Sequence, residues 1–398
     1  MSFGVGLATQ FFPPETFAGA NRVAALAQAL AEQFSLVIAA PAPGYPDPAT
    51  YEGRPLEATY EGALVRRIPP FTAQRRPWPR RAAAEALLAA RLARIASASR
   101  PRVVVASSPS MFLGPACLAA ARRRRARFVW DVRDLTWEYG REGDVIAGPV
   151  AGAAMRSVAR TMWATAARAD LVVCANDGLA EIVRDRLTKT RVEVVRNGVD
   201  EALLQLFDPA PAAAGDGTTV LYAGLLGHAQ ELEVLVEVAA LAPDLNVVLA
   251  GDGPCREELH QLVLRRGLHN VSFTGYVAPR DLAQLYRSSD VLFAQVRKSE
   301  LHAVTAVPSK LLEYMAAGRP IVYAGEGAAV ALVESTGSGL TASPGDAPAI
   351  VEAIRAAVSP EGARMGSRGR SYVDSLPTRR DEMRRFAQLV AQVGGPGR

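Results

Sequence analysis

Short β-branched runs alternate with Ala- and Leu-rich stretches of helical character along almost the whole 398-residue chain. That alternation constrains the fold more than any other feature. Phe3–Ala8, Leu36–Ala40, Val103–Ser107, Phe128–Val132 and Leu171–Cys174 read as buried strands, with helical patterns at Asn21–Gln33, Arg81–Ser97 and Pro115–Arg125. Strands that are apolar throughout and lead into helices imply a parallel sheet covered on both faces. The Pro-, Gly- and Ala-rich segment Phe207–Thr219 has little to bury and reads as a linker. A second series then begins, with strands at Thr219–Ala223, Val247–Ala250, Val271–Thr274, Val291–Ala294 and Pro320–Tyr323, and a last amphipathic helix at Thr378–Val393. The expected fold is α/β, with doubly wound parallel-sheet domains at 1–206 and 219–376, a linker at 207–218, and a C-terminal helix within 377–398 that packs back on the first domain.

A chain of this length suits two such domains better than one core. Its three cysteines (Cys117, Cys174, Cys255) fit neither a disulfide framework nor a zinc spacing, so a reducing, cytoplasmic compartment is expected. With four histidines and no His/Cys cluster, no metal is expected. The N-terminal stretch lacks the basic region and cleavage site of a signal peptide. The longest uncharged run, Val103–Ala121, is broken by Pro109 and Pro115 and reads as strand, loop and helix rather than a membrane span. Lys and Arg outnumber Asp and Glu by 27 to 18 in residues 1–200, and the ratio reverses to 18 against 22 in 201–398. A basic half can face nucleic acid, anionic lipid or a phosphorylated substrate, and charge alone does not choose.

Ligands bind doubly wound sheets beyond the carboxyl ends of the strands, and two such domains are expected to face a cleft. The most informative segment is VPSKLLEYMAAGRPIV, Val307–Val322. Ser309 is a good N-cap for a helix from Lys310 to Ala317 that Gly318 ends. Lys310 and Glu313 share one face. A helix start with a lysine in its first turn can seat a diphosphate, and a carboxylate one turn deeper can accept two ribose hydroxyls. A capped amphipathic helix with a surface Lys–Glu pair fits the same residues. Gly251-Asp252-Gly253-Pro254 lies between a strand and a helix and lacks the third glycine of a dinucleotide site; it is either a nucleotide contact or a turn with Pro at the helix start. Gly19, in the loop Phe17, Ala18, Gly19, Ala20, Asn21, allows close approach of backbone to a ligand or simply makes a strand-to-helix turn. Leu64–Arg81 carries Arg66, Arg67, Arg75, Arg76, Arg80 and Arg81 beside Phe71 and Trp78, and Arg122–Arg125 with Arg127 form a second cluster. Such segments suit an anionic membrane surface or a merely solvated face. No RNA- or DNA-recognition module accompanies them, so no nucleic acid is expected.

Val307–Val322 resembles the signature of GT-B glycosyltransferases of family 4, especially the branch similar to N-acetyl-L-fucosamine transferases of O-antigen and capsule assembly. Further segments match that family in order: Phe12-Pro13-Pro14 with Gly19, Val129–Leu135, Ala169-Asp170-Leu171, Asn197–Asp200, Leu249–Pro254, Phe273–Gly275 and Ser289–Val291. The resemblance implies Rossmann-like domains, an acceptor-side one first and a nucleotide-sugar-binding one second. It implies Glu313 on the donor ribose, Tyr276 beside the base, and Gly224, Pro308, Ser309, Gly251 and Gly253 around the donor. The loop at Gly19 would lie near donor phosphates and acceptor. Three departures stand out. Thr305 replaces the first acid of the family's Glu pair. Leu225 and Gln230 replace the usual diphosphate-binding Arg and Lys, so Lys310 and the backbone amides at Ser309, then Arg297 and His228, become the candidates to hold the diphosphate. His228 fits a solvent-facing loop residue equally well. Arg133 replaces a histidine beside Asp134; it cannot be a base at neutral pH, so it would orient a substrate or neutralise a phosphate. Asp131 and Asp134 read either as a strand-end turn with an Arg–Asp pair or, for Asp134, as an acceptor-side contact.

The expected function is retaining transfer of a sugar, an N-acetylhexosamine on UDP, to a saccharide, lipid-linked or natural-product acceptor, without cofactor or metal. Lys310 would stabilise the leaving diphosphate, with Arg133 and Asp134 as the other reactive-site candidates. The expected location is cytoplasmic, with peripheral contact at the membrane's inner face. The alternatives are a degenerate partner subunit that binds nucleotide or another transferase, and a nucleotide-sugar 2-epimerase, for which no acid/base set is visible.

Overall fold

A computed structural model of the chain describes residues 3–15, 18–44, 48–69, 78–138, 149–207, 217–298 and 309–395. They form two compact units, Met1–Gly198 with Arg379–Arg398, and Val199–Thr378.

The first unit holds β1 (Gly4–Thr9), β2 (Ser35–Pro41), β3 (Glu57–Tyr60), β4 (Ala63–Ile68), β5 (Val103–Ser107), β6 (Arg127–Val132), β7 (Leu171–Cys174) and β8 (Val192–Val194). They run in the order β3-β4-β2-β1-β5-β6-β7-β8. All pairs are parallel except the β3–β4 hairpin. Val5, Leu7, Val105, Val129 and Val173 point into a core with Leu26 and Leu30 of the helix Ala18–Ala31. Met383, Phe386 and Val390 of the C-terminal helix Arg379–Gly394 complete it, so this helix belongs to the first unit although it follows the second in sequence.

The second unit holds β9 (Thr218–Ala223), β10 (Leu245–Ala250), β11 (Val271–Gly275), β12 (Val291–Gln295), β13 (Ile321–Ala324) and β14 (Gly339–Ala342), in the order β11-β10-β9-β12-β13-β14. Every pair is parallel. The chain therefore winds outward from β9 in one direction, then returns to start again at β12. β9 and β12 pair only through Val220↔Val291 and Leu221↔Leu292. Beyond that the strands part, which is where ligands settle on sheets of this order.

One device orders strand starts in both units. Asp170 accepts the Phe128 N–H at 2.8 Å and Asp290 accepts the Thr219 N–H at 2.8 Å, each carboxylate closing the first rung of a neighbouring strand. In the first unit a second constraint is stronger. Arg22 and Asp131, both at most 1% exposed, form a fork-to-carboxylate pair with contacts of 2.8 and 3.3 Å. Ser107 donates to the same carboxylate at 2.7 Å. The remaining Arg22 N–H groups reach Val195 O, Arg196 O and Asn197 Oδ1 at 3.0–3.1 Å. All five guanidinium donors are thus used, which is the condition for burying such a charge.

The domain limits differ from those expected. Val199–Phe207 belongs to the second unit: Val199 bridges to Thr378, and Phe207 is 2% exposed against Tyr286 at 5.3 Å. Apolar Val199, Leu204 and Phe207 supply the buried surface that draws this stretch, with the helix Glu201–Leu206, into that core. The rest of the expected linker up to 216 lies outside the described residues. Four strands escaped the alternation signal. β3 and β8 have few fully buried positions, β14 is half-buried throughout, and β4 was masked by its two arginines.

Truncating Arg22 leaves Asp131 charged and enclosed, a class of change that costs roughly 3–5 kcal/mol. Arg22→Ala should therefore lower amide protection across β1, β5 and β6 by that amount while sparing the second unit. Arg355→Ala, which removes an exposed pair with Asp244, should cost about 1 kcal/mol or less. Hydrogen exchange read separately for each unit checks this, and equal losses in the two variants would contradict it.

Candidate functional site

The site in the second unit is built where β9 and β12 part. Tyr314, on the helix Ser309–Ala316, is fully buried and sets its hydroxyl into the opening. It accepts the Ala223 N–H at 3.0 Å and lies 3.1 Å from Phe293 O. One hydroxyl thus serves a donor of β9 and an acceptor of β12 that no longer reach each other. One turn earlier on the same helix, Lys310 donates to Tyr222 Oη at 2.6 Å, with its ammonium 3.9 Å from the ring centroid. Tyr222 in turn donates to Leu225 O at 2.6 Å. Burial pulls the Lys310 ammonium down to about 7, against the Glu313 carboxylate, which favours the charged form. The helix begins at Ser309 itself, one residue earlier than expected of an N-cap.

Glycine at residue 224 leaves the space that the end of Lys310 occupies. A Cβ there would lie 2.8 Å from Nζ, and its φ of +144° disfavours any L side chain. At Gly251 of the Gly-Asp-Gly-Pro turn a Cβ would sit 1.9 Å from Gly224 O, and the helix that follows starts at Arg256, two residues beyond Pro254. Gly253 is closed in the same way by Leu226 O at 2.4 Å. Backbone bonds Gly224 N→Ala250 O (2.8 Å), Leu226 N→Asp252 O (3.0 Å) and Cys255 N→Leu226 O (3.0 Å) join the two loops. These glycines bring the loops after β9 and β10 into contact, and so form the floor beneath Lys310.

Tyr286, 1% exposed, lies with its hydroxyl 3.4 Å from Glu313, which is half-buried. Burial first, then the Glu313 charge, holds the Tyr286 phenol well above its usual range, so it stays a donor. His228 is exposed and places Nδ1 3.2 Å from Cys255 Sγ. Arg297 is exposed as well, and its N–H donates to Ala229 O at 2.9 Å, which puts it beside the His228 turn. Gln295 fastens that turn through Gln230 O and Glu231 O at 3.1 and 2.9 Å. Tyr276 follows the edge strand β11 and is 64% exposed. Pro308 and Thr305 lie outside the described residues, as does the Ser309 side chain.

In the first unit the carboxyl end of β6 gathers a second set. Arg133 donates to Gly19 O at 3.1 Å, and its N–H is held by Ser108 Oγ at 3.1 Å. Burial lowers its guanidinium from the usual range, with Asp131 opposing. Among the described residues, one buried carboxyl oxygen of Asp134 has no hydrogen-bond partner. Burial raises its pKa to about 6, against Arg133 and the Thr136 N–H, which favour the anion. The strand-end pair expected within Asp131, Arg133 and Asp134 is corrected: Asp131 is taken by Arg22 from the first helix, and Arg133 turns to the Gly19 backbone. Ala20 is buried and Asn21 half-buried in that helix; Phe17 and the Ala18 side chain lie outside the described residues.

Residues 19–203 match the family model described as Glycosyltransferase Family 4, and residues 205–371 that of Glycosyl transferases group 1. The chain carries the two domains of a GT-B glycosyltransferase. Over 144 residues it is 28% identical to the alpha-D-kanosaminyltransferase of Streptomyces kanamyceticus, covering 35% of this chain and 36% of that one. In this and two other curated relatives the matched stretch spans 26–40% of the relative's length. Among solved structures, sucrose-phosphate synthase from Thermosynechococcus elongatus aligns with a TM-score of 0.74 at 17% identity, covering 98% of this chain and 99% of that one. Anabaena HepE in complex with UDP and glucose aligns at 0.68 and 16%, covering 97% and 99%. These likenesses concern the fold.

Within this GT-B chain three of the four described arginines expected at a membrane surface have partners. Arg66 pairs with Glu57 across the β3–β4 hairpin, and Arg81 pairs with Glu85 one turn on. Arg67 donates to Pro13 O and Pro41 O. Arg80 is exposed, and Arg75 and Arg76 lie outside the described residues. Among the described residues no helix is long and apolar enough to cross a membrane. Sequence reasoning missed Arg22, Tyr222, Tyr286 and Tyr314. Tyr314 stood one turn past Lys310, and Tyr222 was the one polar-tipped ring in an apolar strand ending at a glycine.

Asp134 yields a pH-dependent prediction. Its folded pKa of about 6 lies above the usual aspartate value of 3.8, so the folded state binds more protons between those values and stability falls as pH rises through them. Asp134→Asn should stabilise the first unit on the order of 1 kcal/mol at pH 8, with the gain vanishing near pH 4. Urea unfolding of both proteins across pH 4–8 measures it; a gain that does not shrink toward pH 4 contradicts the assignment.

Proposed function

We propose that this chain transfers a sugar from a nucleoside-diphosphate donor, UDP in the first instance, with retention at the anomeric carbon. The observation that carries the reading is Lys310: a lysine in the first turn of a helix, its ammonium seated over the loop glycine at the point where β9 and β12 part. A diphosphate arriving there adds negative charge beside a group whose burial otherwise favours the neutral form, so binding draws Lys310 to its ammonium state. The amides at the helix start add their dipole, and exposed His228 and Arg297 stand on the adjoining turn. Together they take the place of the family's usual Arg and Lys, for which this chain has Leu225 and Gln230. Glu313 would accept the ribose hydroxyls, steadied by Tyr286, and exposed Tyr276 would lie along the base.

In the transfer step the bond between the anomeric carbon and the β-phosphate oxygen breaks as the acceptor oxygen bonds to the same face. The acceptor proton passes to the leaving phosphate, and the ammonium of Lys310 offsets the charge that develops there. No metal is assigned a role in this scheme. The unpartnered Asp134 oxygen and Arg133 are the acceptor-side contacts. The sugar is an N-acetylhexosamine, by the resemblance to the fucosamine-type branch, and the acceptor a saccharide, a lipid-linked saccharide or a natural-product scaffold. Contact of Arg66, Arg67, Arg75, Arg76, Arg80 and Arg81 with an anionic membrane surface has no part in this proposal, because three of the four described members are held by partners. The Leu225 and Gln230 replacements favour one alternative, a partner subunit that binds nucleotide without turnover.

A thermal-shift panel with UDP, GDP, dTDP, ADP and CDP tests the donor site. A ligand at a hundredfold excess over its Kd stabilises the folded state by roughly 2.7 kcal/mol. UDP should raise the melting temperature of the wild type and not of Glu313→Ala. A UDP shift without sugar transfer to any acceptor would support the partner-subunit alternative. No shift with any of the five nucleotides would sink the donor-site assignment.

A further inference from the structure

The second arginine cluster differs from the first in having charge to spare. Arg122 and Arg125 end the helix Leu113–Arg124, Arg127 opens β6, and Arg168 precedes β7. The four side chains, all solvent-exposed, line one open pocket of about 430 Å³ together with Leu118, Ala126 and Phe128. The pocket has a single carboxylate, Asp170, and both of its oxygens are engaged, by Arg127 at 2.7 Å and by the Phe128 N–H at 2.8 Å. Arg168 gives one N–H to Ala164 O at 2.9 Å. Among the described residues no acceptor is bonded to the guanidinium of Arg122 or Arg125. Three positive charges beyond the Arg127–Asp170 pair therefore face one small space.

The helix dipole accounts for part of this. Cations in the last turn complement the negative helix end, which covers Arg122 and equally Arg123 and Arg124, neither of which lines the pocket. It does not account for Arg127 and Arg168, which come from two other elements to the same place. Nor does it account for Arg125, which takes φ +55° at the helix end, where glycine is the favoured residue. Like charges that converge from three elements repel unless an anion lies among them. The guanidinium fork matches the oxygens of a phosphate group and binds them in pairs.

We propose that this pocket binds a phosphate or diphosphate ester. It sits at the amino ends of β6 and β7, whereas Arg133 and Asp134 follow the carboxyl end of β6, so it is a separate site on the first unit. The chemistry is the same whether the phosphate belongs to a soluble compound or to a lipid headgroup.

The test uses the full chain at one fixed salt concentration, because screening alone moves such affinities. One arm titrates inorganic pyrophosphate calorimetrically; the other measures flotation with phosphatidylcholine vesicles with and without phosphatidic acid. Three variants accompany the wild type: Arg122→Ala/Arg125→Gly, Arg123→Ala/Arg124→Ala, and Lys310→Ala. The glycine suits the left-handed backbone at 125, so the first variant should melt no lower than the wild type. That variant should bind at least about tenfold more weakly in one arm, the scale of one or more charge-assisted bonds lost. Arg123→Ala/Arg124→Ala should keep the affinity of the wild type in both arms, and Lys310→Ala, which removes the lysine of the donor site, should keep the vesicle binding and the pyrophosphate event that Arg122→Ala/Arg125→Gly weakens. Loss in the calorimetric arm identifies a soluble ligand and loss in the vesicle arm a lipid one. Equal loss in Arg123→Ala/Arg124→Ala would reduce the effect to general charge and overturn the proposal, as would the absence of binding in both arms.

Discussion

The parting of β9 from β12 is the constraint on which the site in the second unit depends. A doubly wound sheet must start twice from its middle, so two neighbouring strands send their chains in opposite directions and cannot stay paired to their ends. Here the ladder between them holds for two residue pairs. What would be a row of bare backbone groups is closed by the Tyr314 hydroxyl, which serves both strands. That tyrosine fixes the helix Ser309–Ala316, and the helix places Lys310 over Gly224. The glycine contacts between the loops after β9 and β10 make the floor. The lysine position thus follows from strand order, one buried hydroxyl and a missing Cβ, not from a loop that happens to lie nearby.

In the first unit the corresponding role falls to Arg22. Its five donors join the first helix to β6 and to the stretch Val195–Asn197, and leave nothing over. Fully paired buried charges of this kind hold elements in one register at little net gain in stability. Asp134, three residues beyond Asp131, shows the contrast. It is also enclosed, but one of its oxygens has no hydrogen-bond partner, and its pKa has moved up accordingly. Two carboxylates at the end of one strand therefore have different fates. The one that Arg22 pairs joins elements of the fold, and the other keeps one oxygen for the acceptor-side contact proposed above.

The sequence made the two-sheet architecture legible because ten of the fourteen strands among the described residues are apolar runs that periodicity detects. The four that escaped lie at sheet edges or carry charge, as β4 does with Arg66 and Arg67. Lys310 and Glu313 were legible because three-residue spacing on a helix needs no tertiary knowledge. Arg22 with Asp131 was not, since the partners stand 109 positions apart and a nearer arginine, Arg133, offered itself. The role of Gly251 and Gly253 was open for the same reason: what a Cβ would strike is a neighbouring loop that no local pattern names. The limit at 206 failed because a short apolar stretch beside a Pro- and Ala-rich one reads as its continuation until its buried contacts are seen.

In the proposed donor site Lys310 holds the diphosphate and not the nucleoside. Calorimetric Kd values for uridine, UMP and UDP with wild type and Lys310→Ala test it most directly. The substitution should weaken UDP by about tenfold or more, as loss of a charge-assisted contact does, and leave uridine unchanged. Equal weakening of uridine and UDP, or none for UDP, would contradict it.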